Sequence, residues 1–98
     1  MRIDELQDVL RRTYLERDSK RGPDGVFRWM VEEVGEVAKA MRRDPLDAAE
    51  LEHEFGDVLA WLGSLANVME VDLERAAGRY AAGCPKCGAI PCACGARP

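Results

Sequence analysis

Hydrophobic residues along this chain return every three or four positions, the repeat that lines one face of an α-helix. Ile3, Leu6, Val9, Leu10, Thr13 and Tyr14 set that rhythm over residues 2 to 19, with Asp4 and Glu5 where a helix dipole favours negative charge. Ser19-Lys20-Arg21-Gly22-Pro23-Asp24-Gly25 interrupts it with turn-forming residues and reads as a loop. A second helix is expected from Val26 to Arg42, burying Phe27, Met30, Val34, Val37 and Met41, with Pro45 separating it from the next. The third and longest runs from Pro45 to Glu70, with Leu51, Val58, Leu62 and Leu65 on its apolar stripe. Asp72 is placed to cap a short fourth helix from Leu73 to Ala82. No stretch alternates as a strand would. The expected fold class is therefore all-α, an antiparallel helical bundle over residues 1–82 followed by a cysteine-rich tail at 83–98.

Two acidic clusters cut across this pattern. Glu32, Glu33 and Glu36 lie on the second helix, Glu54 and Asp57 on the third. Positions three or four apart share a helix face, so Glu33 and Glu36 point the same way, as do Glu54 and Asp57. Glu54 falls inside the apolar stripe rather than opposite it. Carboxylates on inward faces repel one another and lose hydration, and they need a compensating charge. A hard divalent cation with oxygen ligands, Mg²⁺ or Mn²⁺, supplies it. The plainer alternative is a pair of solvated charged faces, which a chain with 33% charged residues can produce by chance. Trp29 precedes Glu33 by one turn and Trp61 follows Asp57 by one turn, so an aromatic ring flanks each cluster; the plainer reading of Trp29 is packing at an interhelical or subunit contact. His53, the single histidine, falls toward the polar side and receives no role. The Glu-x-x-His pairs of di-iron bundles are missing, which argues against oxygen chemistry.

Size and charge narrow the options further. At 98 residues the chain makes one small domain with a limited core, which association into a homodimer or homotetramer would complete. A net charge of −4 argues against binding nucleic acid polymers through their phosphates. No apolar run approaches the length of a membrane span, and the charged N-terminus lacks a secretory signal, so a cytoplasmic location is expected. The four cysteines, Cys84, Cys87, Cys92 and Cys94, all fall in the tail. Cys84-Pro85-Lys86-Cys87-Gly88 has the form of a zinc knuckle, and four thiolates suit a closed structural Zn²⁺ site. A reduced tail without metal is the alternative.

Taken together, Glu32, Glu33 and Glu36, then 17 residues, then Glu54 and Asp57, resemble the MazG-type family of all-α nucleoside triphosphate pyrophosphohydrolases. The resemblance extends to Tyr14, Arg17-Asp18, Arg21-Gly22, the run Trp29 to Glu36, Gly56 to Leu62, Leu65-Ala66-Asn67 and Val71 to Glu74. It implies Mg²⁺ ligands at Glu33, Glu36, Glu54 and Asp57, and a water-orienting or water-deprotonating role for Glu32. It implies base stacking on Trp61, with Lys39, Arg75 or Arg79 steadying the pyrophosphate. For Arg75 and Arg79, plain helix C-terminal charges are the other reading. His53 departs from similar sequences, which often carry another Glu there. The implied reaction converts an NTP or dNTP into the monophosphate and pyrophosphate. Two alternatives stand beside it: the related phosphoribosyl-ATP pyrophosphohydrolase, and a non-catalytic helical metal-binding or interaction module with a zinc tail.

Overall fold

The computed structural model describes residues 1–95, and their secondary structure is entirely helical. Helix α1 spans Ile3–Met41, α2 Ala48–Val68 and α3 Leu73–Ala77, and a short 3-10 turn follows at Gly78–Tyr80. The loop expected between the first two helices contracts to a single joint. Only Gly22 leaves helical geometry, at φ +78° and ψ 167°. That positive φ is open to glycine and strained for other residues. Pro23, which lacks an amide hydrogen to lose and has a helix-compatible φ, restarts the helix immediately. α1 is thus two limbs, one on either side of Gly22.

Both limbs pack on α2. From the first, Gln7 reaches Val71 and Arg11 reaches Asn67, while Leu10 lies against Gly63. From the second, Trp29 stacks on Trp61 and the Glu33 carboxyl feels the charges of Asp57 and Glu54. Arg43 pairs with Glu50 across the turn. Numbers rise on α1 as they fall on α2, so the packing is antiparallel. Asp47 caps α2 through the amides of Ala49 and Glu50, which moves the helix start two to three residues past the expected Pro45. Asp72 caps α3 as anticipated, accepting from the Arg75 amide at 3.1 Å.

The buried seam is narrow and partly polar. Leu10, Val26, Ala40 and Ala66 are the buried apolar residues, joined by Gln7, Asp18, Ser64 and Asn67. Gln7 secures the far end: its amide group donates to Val71 O at 2.7 Å and accepts from Leu73 N at 3.0 Å. Asn67 donates to the Gln7 carbonyl at 3.1 Å. Small residues at Gly63, Ser64 and Ala66 let the first limb come close. A Cβ on Gly63 would stand 2.4 Å from Leu10 Cδ1. Gly63→Val should therefore lower unfolding stability by about 1–3 kcal/mol, the usual cost of overpacking, as read from urea denaturation.

The stripe expected to be buried on the second limb is mostly outside. Phe27 is 50% exposed, Val34 50% and Met41 63%, while Val26 and Ala40 face in. Two apolar rows run side by side on this limb, and α2 covers only one of them. Periodicity shows that a face is apolar without showing what covers it. None of the helices is long and apolar enough to cross a membrane, among the described residues.

Candidate active site

The acidic residues lie where the second limb of α1 faces the middle of α2. Stacking of Trp29 on Trp61, with centroids 5.9 Å apart and planes 12° from parallel, sets the register between the two helices. One turn further along α1 and one turn back along α2 come Glu33 and Asp57. Glu33, Glu54 and Asp57 are half-buried, whereas Glu32 and Glu36 are exposed. Loss of hydration pushes the Glu33 carboxyl above its ordinary range, and the charges of Asp57, Glu54, Glu36 and Glu32 push it the same way. The two sequence clusters therefore form a single electrostatic unit. No lysine or arginine among the described residues pairs with Glu33, Glu36, Glu54 or Asp57. The imidazole of His53 approaches one of the four, its Nε2 lying 3.2 Å from Asp57 Oδ2.

His53, Glu54 and Asp57 offer ligand atoms within 4.8 Å of one another, with Glu33 and Glu36 on the facing helix outside that tight group. His53 is the residue that sequence reasoning set aside. Its signal was present, because His53 and Asp57 are separated by four positions and must share a helix face. Uncompensated, half-buried carboxylates with hard oxygen donors fit a divalent cation.

Beside Asp57 opens a cavity of about 290 Å³ lined by Tyr14, Arg17, Asp18, Arg21, Trp61 and neighbours. Its far wall comes from the first limb. The Arg21 guanidinium lies 5.3 Å from the Trp61 ring centroid and 5.9 Å from that of Trp29, a cation–π contact with both. Asp18 is buried at the base of this wall, 3.5 Å from Arg21 Nη1. Arg17 and Arg21 thus put two cationic side chains in the lining of the cavity that Asp57 borders. Sequence reasoning gave neither arginine a role of its own, because Arg17 falls at the end of the first expected helix and Arg21 in the loop after it.

The basic residues nominated from sequence are more scattered. Lys39 sits in the last turn of α1, exposed, one turn beyond Glu36. Arg75 lies on α3, and Arg79 lies over the Tyr80 ring at 6.0 Å, lining a second cavity with the cysteine segment.

Against known families, residues 21–83 match the model of the MazG nucleotide pyrophosphohydrolase domain. That match spans well over half of the chain. The chain belongs to the MazG family. Membership carries nucleotide pyrophosphohydrolase chemistry in general, and the family generally uses divalent metals. No curated protein matches the chain. The MazG match begins at Arg21, so Tyr14, Arg17 and Asp18 on the first limb lie outside it, as do all four cysteines.

The cysteines form their own cluster at the other end of the chain. The Cys84 and Cys92 sulfurs are 3.6 Å apart, and Cys84 and Cys94 3.8 Å. The Ala93 amide donates to Cys87 Sγ at 3.3 Å, and amide donation of this kind, from Ala93 first and Ala89 second, brings the Cys87 thiol down to about 6. Cys94, crowded by the sulfurs of Cys92, Cys87 and Cys84, is pushed up to about 11.

Proposed function

We propose that this MazG-family protein hydrolyses a nucleoside triphosphate, ribo or deoxy, to the monophosphate and pyrophosphate. The observation that carries the reading is the half-buried Glu33, raised first by loss of hydration and then by four acidic neighbours, and matched by no lysine or arginine among the described residues. Glu33, Glu36, Glu54 and Asp57 are the residues to hold Mg²⁺, or Mn²⁺ in its place. When bound, such an ion screens the triphosphate and lowers the pKa of a coordinated water. Glu32 borders these four on the solvent side, suited to orient or deprotonate the attacking water. Trp61, which lines the cavity, is the ring for the base to stack on. Arg17 and Arg21, across the cavity from Asp57, are better placed to neutralise phosphate than Arg75 and Arg79, and Lys39 stands nearest to Glu36 along its helix. Most of the acceleration then comes from positioning and charge neutralisation, as in phosphoryl transfer generally.

The test is a panel of ribo- and deoxynucleoside triphosphates, with phosphoribosyl-ATP included, incubated with Mg²⁺ and scored for monophosphate plus pyrophosphate. Turnover of a nucleoside triphosphate supports the reading. Turnover of phosphoribosyl-ATP alone, or of nothing, overturns it.

Self-association belongs to the same reading. Phe27, Val31 and Val34 on α1, with Phe55, Leu59 and Leu62 on α2, are each 39–61% exposed at helical spacing. The radius of gyration is 16.0 Å, against about 13 Å for a compact domain of this length. A second copy laid on these rows closes the core in a homodimer or homotetramer. Solution scattering at micromolar concentration should give at least a dimer mass, and a monomer mass would overturn the assembly.

A further inference from the structure

The cysteine segment is a separate problem in physical chemistry, because nothing apolar holds it in place. From residue 83 to residue 95 it has no helix or strand and no buried side chain, and Ile90, its largest apolar residue, is 80% exposed. A segment with so little burial has no evident means of offsetting the entropy of being ordered. Yet its backbone is organised around the sulfurs. The Gly88 amide donates to Cys84 O at 2.7 Å and the Cys84 amide to Ala89 O at 3.2 Å, closing a tight turn between the first two thiols. Gly88, at φ +73°, allows that turn. Amides of Ala93 and Cys94 donate to the sulfurs of Cys87 and Cys92 at 3.3 and 3.4 Å. Backbone donors aimed at sulfur are an arrangement suited to thiolates rather than to packed thiols.

We propose that Cys84, Cys87, Cys92 and Cys94 form a closed, tetrahedral Zn²⁺ site that holds residues 83–95 in this conformation. The four sulfurs lie within 4.8 Å of one another. Thiolates bound to Zn²⁺ at about 2.3 Å in a tetrahedron stand about 3.8 Å apart. The Cys84–Cys92 and Cys84–Cys94 separations of 3.6 and 3.8 Å sit close to that edge length. Four soft ligands select zinc over magnesium, and they leave no open position for substrate or water. The ion is therefore structural. The site is independent of the acidic cluster in both ligands and metal, so it stands or falls apart from the hydrolase reading.

The experiment uses the full chain purified under reducing conditions without chelator. Elemental analysis should find one zinc per chain beyond any held at the carboxylates. The double substitution Cys84→Ser and Cys94→Ser should lose that zinc while far-ultraviolet circular dichroism stays helical. Should the variant fail to fold, Co²⁺ titration of the zinc-stripped native chain decides the matter. Intense thiolate-to-cobalt charge transfer and strong visible bands of tetrahedral cobalt, saturating at one equivalent and displaced by Zn²⁺, support the site. A stripped chain with four free thiols that binds Co²⁺ only through weak octahedral absorption would overturn it, as would stoichiometric iron in the native protein.

Discussion

Asp57→Asn should cut pyrophosphate release on the order of 10²–10³-fold, the scale found when one pre-positioned electrostatic group is removed from a reaction centre, while helical content stays intact. The substitution keeps the shape of the side chain and removes its charge. Asp57 is where several lines of structure meet. It stands within the tight group with Glu54 and His53, contributes to the charge felt by Glu33, and lines the cavity below Trp61. Glu36→Gln, on the facing helix, should fall in the same range although that residue is exposed. Glu16→Gln is the control, because Glu16 is a solvent-facing partner of Lys20 far from the acidic cluster in sequence. Should Asp57→Asn and Glu16→Gln both retain turnover within a few-fold of the parent, the acidic cluster is not the reaction centre.

A second large effect is expected in stability. The Glu33 carboxyl is raised in the folded chain above its ordinary 4.5. A raised acid binds its proton more tightly folded than unfolded, so its ionised form penalises folding. That penalty is absent below pH 4.5 and complete above the raised value. The contribution of Glu33 therefore makes metal-free protein more stable as pH falls through that window, and less stable as it rises. At neutral pH, Mg²⁺ at 100 times its dissociation constant should add about 2.7 kcal/mol, a melting rise on the order of 10 °C for a domain of this size. Glu33→Gln should raise the metal-free melting temperature and shrink the Mg²⁺ response. A thermal-shift series with and without Mg²⁺ reads both. If neither Mg²⁺ nor the substitution moves the transition, the carboxylates do not share a cation.

Much of this arrangement can be read from residue spacing. Glu33 with Glu36, and Glu54 with Asp57, had to share helix faces, and an aromatic residue had to flank each pair. What spacing leaves open is how two helices meet. The stack of Trp29 on Trp61 fixes that register, and neither tryptophan announces its partner. The same gap explains the polar residues that were passed over. Gln7 is 5% exposed and Asp18 2%, but as letters in a charged helix they look like solvent-facing positions. Their burial comes from Ser64, Gly63 and Ala66, whose small size lets the first limb settle on α2. Arg17 and Arg21 were assigned to a helix end and a loop, because a Gly-Pro pair usually ends a helix. Here it bends one. The row at Phe27, Val34 and Met41 was recognised as apolar and expected to be buried, yet it stands exposed on this chain, because periodicity marks a face as apolar without saying what covers it.

The bend at Gly22 also sets a rule for length. A helix advances about 100° with each residue. One residue added or removed between Asp18 and Gly22 would swing Arg17 and Asp18 about a quarter-turn around the axis, away from Trp61, with Glu33, Glu36, Glu54 and Asp57 untouched. Natural variation in this protein should therefore exchange residue types along the first limb far more freely than it inserts or deletes them.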